Sequence, residues 1–462
     1  MAFWDCRITR LELAILVSGA AAVVLLHLDP VLRLSASQAL VWALAAMCWL
    51  TPMTGMMYTA CAQFLPFPAG SFMNPAQVGF VTWAVVTVIR YRRIRFRGIQ
   101  PLIYVVPVLL WVSLTTGSFL AAAKDEYFKA LGYALVACQQ VSESRGRYMK
   151  LLLGLGLGSL LVTVAYWGYI VGLPVPILEW GTTREGIRRI GGTRADAVMV
   201  WPAVLFALSV LIGVATASLR SPRPAEENWW VLPLGVIALC IGVPALISTM
   251  TTGGYSGFMV LLTAYAVLFP LCFRHGEMHG KVGRRFIVAL SAVLVTMGVL
   301  LAFDAFGLRT RVEAMWRHQQ RVKEEQSLAA SREDVWTVAL NTIAQHPWAG
   351  ITYSGEDEEI PREYQHLGFY LSHNVFLDYG RGGGIPAILM FGAFFLYPAV
   401  AMLRRRRRQK YFPFLLLHVA FLVFFMGLSF QYYKTFWAGW MLMAMAVKSD
   451  TDGPRRGSGK AR

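Results

Sequence analysis

Charge is scarce in this chain of 462 residues. Only 15% are charged, where a soluble domain has about a quarter. That scarcity excludes an ordinary soluble fold. Disorder is excluded as well: 56% of residues are hydrophobic and the mean hydropathy is +0.51, whereas disordered chains are poor in apolar side chains. Cysteine is sparse too, with six residues. Cys48, Cys61, Cys138, Cys240 and Cys272 lie in apolar segments, and Cys6 is near the start. There is no Cys-x-x-Cys pair and no Cys/His cluster with zinc spacing, so neither a metal site nor a cofactor is expected. The cysteines read as small buried hydrophobes. The first apolar run, 11–28, lacks the small-residue cleavage site of a signal peptide and is long enough to span a bilayer.

What the chain does have is positive charge: 43 Lys+Arg against 26 Asp+Glu, a formal net charge of +17. In a soluble protein this would point to nucleic acid. In a membrane protein it points to basic cytoplasmic loops under the positive-inside rule. Its distribution favours the second reading, so nucleic acid is not expected as a partner and the lipid bilayer is.

A bilayer core of about 30 Å takes roughly 20 apolar helical residues. Such runs occur at 11–28, 36–64, 75–90, 100–120, 126–141, 151–172, 197–218, 230–248, 255–273, 286–304, 375–402, 412–430 and 432–447. The 36–64 run carries Pro52 and Gly55 and reads as one broken helix or two short ones. The expected fold is an all-α integral membrane protein of about 12–14 transmembrane helices. Basic clusters at Arg90 to Arg97, at Arg145, Arg147 and Lys150, at Arg220 and Arg223, at Arg274 to Arg285, and at Arg404 to Lys410 alternate with the spans from residue 90 onward. All five can be cytoplasmic, and the tail with them. Four regions follow: an N-terminal bundle over 1–303 with an outer loop at 173–196, a large periplasmic loop over 304–372, C-terminal transmembrane helices over 373–447, and a disordered cytoplasmic tail over 448–462.

The large loop is net acidic, and long loops escape the positive-inside rule. It is also too long to be bare loop. Val335, Trp336, Val338, Ala339 and Ile343 recur at helical spacing, so 311–345 reads as amphipathic helices over the membrane face.

Three groups of residues stand out. His373 lies where the large loop re-enters the membrane, at a helix start, followed by Asn374, a suitable helix-start residue. An unperturbed imidazole, with a pKa of about 6.5, serves as a general base at neutral pH. The structural alternative is an interfacial histidine that caps the helix. Arg184, Arg188, Arg189 and Arg194 crowd the short outer loop, on the side where such loops avoid arginine. Guanidinium groups bind phosphate with paired donors, and pairing with the acidic large loop is the competing account. Arg332 begins a helical stretch that ends at His346-Pro-Trp-Ala-Gly350, where Pro347 and Gly350 read as terminators.

In this order the pieces resemble the O-antigen ligase and polymerase superfamily of bacterial envelope proteins over about residues 180–400. Arg189-Ile-Gly-Gly-Thr193 resembles its arginine–glycine motif. Arg332 to Trp336, followed by Pro347 and Gly350, resembles its "arginine, then Trp, then Pro-x-x-Gly" stretch. His373-Asn374 with Phe376, Leu377 and Gly384 resembles its His-Asn signature. Thr249-Met-Thr-Thr-Gly253 is similar to Thr-x-Ser-Arg-Gly, with Thr252 where arginine is common. Asp196 and its neighbours replace a frequent Asn-Pro-Asn. Gly382 stands in place of Glu, and Ala387 in place of a second glycine.

The resemblance implies a GT-C-like fold and metal-independent transfer of a glycan from undecaprenyl diphosphate to a sugar hydroxyl at the periplasmic face of the inner membrane. The acceptor would be lipid A-core or a lipid-linked repeat unit, and a chain-length regulator is a candidate partner. Arg189, Arg332 and His373 are the implied catalytic residues, with Arg188, Arg194, Asn374 and Arg381 as further substrate contacts. A transporter or flippase of lipid-linked glycan is the alternative. Transporters place polar groups near the midplane, whereas these clusters sit at span ends. A structural scaffold, the third class, would tolerate loss of His373.

Overall fold

The computed structural model describes residues 147–172, 178–184, 187–192, 200–218, 231–249, 251–273, 281–324, 332–351, 372–405, 408–427 and 434–451, together with Val85, Pro107, Leu110 and Trp111. The expected spans before residue 147, Arg194, Asp196 and the acidic run at 356–359 lie outside the described residues.

The helical reading holds. The apolar runs form α1 (Arg147–Ile170), α2 (Val200–Ser218), α3 (Val231–Ser248), α4 (Thr252–Cys272), α5 (Lys281–Ala302), α8 (Val375–Leu403), α9 (Phe412–Gly427) and α10 (Lys434–Thr451). Between α5 and α8 lie α6 (Leu308–Glu324) and α7 (Arg332–Gln345). Four stretches, Leu151–Ile170, Gly253–Cys272, Val375–Leu403 and Arg408–Gly427, are long and apolar enough to cross a membrane. One departure from helix was not foreseen. The outer loop folds into an antiparallel hairpin of β1 (Leu178–Arg184) and β2 (Ile187–Gly192), with its register shifted between Trp180 and Thr183. Helix α10 runs to Thr451, so 448–451 continue the helix where a tail was expected.

Helices α2 and α4 both run antiparallel to α9. Phe206 of α2 meets Phe421 of α9, and Phe273 after α4 meets Phe412 at the opposite end of α9. The ends therefore sort into two faces. One holds the start of α2, the turn from α3 to α4, the start of α8 and the end of α9. The other holds the start of α9 and the basic residues Arg404, Arg405, Arg408 and Lys410 that precede it.

Helix α2 is apolar all round and almost every residue from Trp201 to Ala217 is buried, as expected of a helix at the centre of a bundle. The peripheral helices instead expose Met259, Val260, Leu294, Val295 and Leu389. Large apolar side chains turned outward along several helices suit a lipid solvent, where they cost nothing. An aromatic cluster joins α8, α9 and α10: Phe395 and Phe436 both pack on Phe425, and the Phe394 and Trp440 rings lie 3.9 Å apart. Pro244, Pro270, Pro386 and Pro398 sit inside helices, which membrane helices tolerate where neighbours restore the freed backbone groups.

After α5 the chain turns sharply through Asp304 (φ 45°), Phe306 (φ 59°) and Gly307 (φ 66°). The Asp304 carboxylate accepts from the backbone N–H and the hydroxyl of Thr310, which holds its pKa below the usual range and ties the turn to α6. Leu308, Arg311 and Ala314 are the buried face of α6, and Val338, Ala339 and Ile343 that of α7. Both helices are one-sided, as the spacing of their apolar residues predicts.

Close packing at the α2–α9 crossing depends on Gly213. A Cβ there would sit 2.7 Å from the Pro413 Cα, a backbone atom that cannot yield locally. Gly213→Ala should destabilise the bundle by about 1–3 kcal/mol and lower its melting temperature in detergent. Gly298→Ala, with no atom within 4 Å, should leave that temperature unchanged.

Candidate functional site

The start of α8 is built by its own sequence. Asn374 is the N-cap, extended at φ −143° and ψ 113°, and its side-chain oxygen accepts from the N–H groups of Phe376 and Leu377 at 3.0 and 3.4 Å. A short polar residue here satisfies donors that have no partner within the helix. Its amide nitrogen faces the Met426 sulfur at 3.9 Å, at the end of α9. His373 precedes the cap and is exposed, with φ at 54° in the left-handed region. That conformation costs a non-glycine residue about 1–2 kcal/mol and occurs at functional sites where the surroundings enforce it.

The surroundings are specific. Ser372 is fully buried. Its backbone N–H and its hydroxyl both donate to Oδ1 of Asp378, at 2.8 and 2.7 Å, and its oxygen accepts from the Asn374 N–H at 3.2 Å. The Ser372 carbonyl accepts from Nε1 of Trp336 on α7 at 3.1 Å. The large-loop helix is thereby bonded to the residue next to His373.

Ten residues into α8 the helix breaks. Gly383 (φ −150°, ψ 15°) and Gly384 (φ 68°, ψ −167°) leave helical geometry. The break separates Ile385 N–H from the Arg381 carbonyl, its ordinary i→i−4 acceptor. Both are taken up by the Pro-Trp-Ala-Gly turn. Ile351 N–H donates to the Arg381 carbonyl at 2.6 Å, and Ile385 N–H donates to the Pro347 carbonyl at 2.7 Å. The Trp111 indole donates to the Gly383 carbonyl at 2.8 Å. Gly350 (φ 67°) and Gly384 have no alternative residue: a Cβ on either would collide with the other strand of this junction, at Arg381 and Gly382 or at Pro347 and Trp348. Pro347 and Gly350 do end a helix, as their residue types predict, and the turn they form also seats in α8.

A second polar knot lies at the same face, in the turn from α3 to α4. Buried Arg311 of α6 donates to the Ser248 carbonyl at 3.2 Å, at the end of α3, where a cation also suits the helix dipole. The Ser248 hydroxyl donates to the Tyr166 hydroxyl at 2.7 Å, and the Thr249 and Thr251 hydroxyls meet at 2.8 Å. Trp201 lies against Gly253 and Gly254 and packs on Phe424. With Met426 two residues further on, this connects the knot to Asn374. Thr252, where the resembled family favours arginine, opens α4; the guanidinium bonded at this turn belongs to Arg311.

The expected residues fall as follows. His373 and Asn374 head α8, and Arg332 starts α7 one helical turn before Trp336. Arg381 is buried at the helix break, where its carbonyl serves the turn. Arg188 and Arg189 lie on β2, with Arg188 opposite Thr183, and β1 runs beside α6. Ser372, Asp378 and Arg311 were not anticipated. A serine two residues before the cap and an aspartate four after it, Ser372-x-Asn374-x-x-x-Asp378, was the available signal for the first two. Arg311 gave none, since its partner is 63 residues away.

Residues 236–392 match the family model described as O-antigen ligase. This stretch is similar to the O-antigen ligase domain. It begins in α3 and ends in α8, so it contains the hydroxyl-rich turn, α6, α7 and the whole junction at His373. No curated protein and no solved structure matches the chain. The match lies in a chain whose described residues include four helices long and apolar enough to cross a membrane, so this part is similar to multipass membrane proteins of ligase- or polymerase-type glycan transfer.

The junction makes a direct prediction. Gly384→Ala should unseat the Pro-Trp-Ala-Gly turn, lowering the melting temperature and opening a new cleavage site near residues 346–351 in limited proteolysis. Gly392→Ala, in the same helix but with open space around it, should do neither.

Proposed function

We propose that the protein moves an oligosaccharide from undecaprenyl diphosphate to an acceptor sugar hydroxyl at the periplasmic face of the inner membrane, in polymerisation or ligation of a surface polysaccharide. The observation that carries this reading is His373. It is an exposed imidazole held in a strained backbone conformation at the head of a membrane helix, inside the stretch similar to the O-antigen ligase domain.

His373 takes the proton of the acceptor hydroxyl as its oxygen attacks the anomeric carbon. The bond from that carbon to the phosphate oxygen breaks, and the diphosphate leaves with the electron pair. One displacement inverts the anomeric centre. The leaving diphosphate gains negative charge, which arginines at a partly desolvated boundary stabilise by electrostatic preorganisation. Arg332 and Arg189 take this role without a metal, with Arg188, Arg194 and Arg381 as secondary contacts. The amide oxygen of Asn374 is engaged in the cap, so Asn374 serves the orientation of His373.

The topology supports this arrangement. The basic residues Arg404, Arg405, Arg408 and Lys410 lie at the opposite end of the bundle from His373, which suits a cytoplasmic face there and a periplasmic face at the site. Helix α8 supports it as well. The 385–403 portion beyond the break is about 28 Å long at 1.5 Å per residue, enough to span by itself. The segment before the break is then free to hold His373 at the boundary.

Replacing His373, Arg189 or Arg332 with Ala should reduce glycan transfer at least about a hundredfold, on the scale of lost acid–base or electrostatic catalysis, while membrane insertion is kept. Transfer is read as polymer or ligated glycan made in cells. Normal output from His373→Ala would dismiss it as the base. EDTA should leave transfer by the purified protein unchanged, and strong inhibition would count against the metal-free account.

A further inference from the structure

A helix cap needs only Asn374, which already serves the N–H groups of Phe376 and Leu377. The bonds around His373 go well beyond that. Asp378, one turn into α8, is 5% exposed, and burying a carboxylate costs several kcal/mol of solvation. It reaches backward past the cap to bind both the N–H and the hydroxyl of Ser372. The Ser372 hydroxyl has a single proton. The Asn374 carbonyl, 2.9 Å away, already accepts the helical bond from Asp378 N–H. The proton therefore goes to the carboxylate, the shorter and charge-assisted contact. The hydroxyl oxygen remains to accept the Asn374 N–H. Both neighbours of His373 are thus held by hydrogen bonds to side chains, which restrict the backbone of the residue between them.

The third tie crosses from the large loop. Trp336 Nε1 donates to the Ser372 carbonyl from 36 residues away. Arg332 begins the same helix four residues earlier, one helical turn. The residue assigned to the leaving diphosphate and the residue assigned to the acceptor proton are therefore connected by one turn of helix and one hydrogen bond. In a displacement, the distance between leaving group and base sets whether the attack is in line.

We infer that Trp336, Ser372 and Asp378 are positioning residues that fix the His373 imidazole relative to the helix bearing Arg332. The inference rests on the proposed role of His373 as base. It predicts that the three residues govern the transfer step and leave donor binding alone.

The test separates those two quantities. Transfer is measured in native membranes charged with their own lipid-linked donor, and binding as the Kd of the purified protein for undecaprenyl diphosphate. Trp336→Phe keeps an aromatic ring at the position and removes the N–H donor together with the five-membered part of the indole. Ser372→Ala removes only the hydroxyl. Each should slow transfer by roughly ten- to a hundredfold, the scale of an ångström-sized misplacement, with the Kd within about twofold of the parent. Asp378→Asn keeps an oxygen acceptor at the same place and should retain most of the transfer rate, while Asp378→Ala should lose it. Full transfer rates in both Trp336→Phe and Ser372→Ala would overturn the inference. So would losses matched by weaker undecaprenyl diphosphate binding or by a fall in melting temperature, since these report general damage. His373→Ala keeps the two failures apart. If it stays active, the base assignment is lost. If it is inactive while Trp336→Phe and Ser372→Ala run at full rate, only the positioning role is lost.

Discussion

A membrane helix that breaks must rehouse the backbone groups it releases, because hydrocarbon offers them no water. In α8 the break at Gly383 and Gly384 separates the Arg381 carbonyl from the Ile385 N–H. The turn after α7 supplies the missing partner to each, through Ile351 N–H and the Pro347 carbonyl. The exchange for that pair is local. It makes the helix break and the loop turn a single structural unit, although about thirty residues of chain separate them.

Much of the site follows from that unit. With the turn seated, α7 lies along the first segment of α8, and Ile343 packs where Gly380 leaves room. This brings Trp336 to the Ser372 carbonyl and sets the start of α7, with Arg332, beside the start of α8, with His373. The glycines are needed on both sides. Gly350 and Gly384 both adopt positive φ, and a side chain on either would run into the backbone of the opposite segment, at Arg381 to Gly383 or at Pro347 and Trp348. A histidine at a helix start could be a simple cap residue. Here the cap is Asn374, and the strained, exposed residue is His373.

The same face of the bundle gathers further polar features. Arg311 is buried at the end of α3, and the hydroxyls of Tyr166, Ser248, Thr249 and Thr251 are bonded among themselves or to backbone. These groups sit in a largely apolar bundle, where an unmet polar atom costs several kcal/mol. Their bonding is the condition for having them there at all. It also makes the α3–α4 turn a rigid floor, coupled through Trp201 and Phe424 to the cap at Asn374.

The sequence by itself determined the helical membrane class, because runs of apolar side chains and the sorting of Lys and Arg are properties of composition along the chain. It also marked the start of α8 and the end of α7, because caps and terminators act within four residues. The apolar stripe of α7 was legible for the same reason. What only the tertiary structure decided are the contacts between distant segments: Arg311 on Ser248, Trp336 on Ser372, and the Pro-Trp-Ala-Gly turn in the glycine break. A hydrogen bond to a backbone carbonyl leaves no mark on the residue that provides the carbonyl, so no pattern in the chain announces it. The hairpin escaped notice because its strands are short and carry little alternation. The glycines were visible as residues, but the need for them arises only when two segments meet backbone to backbone.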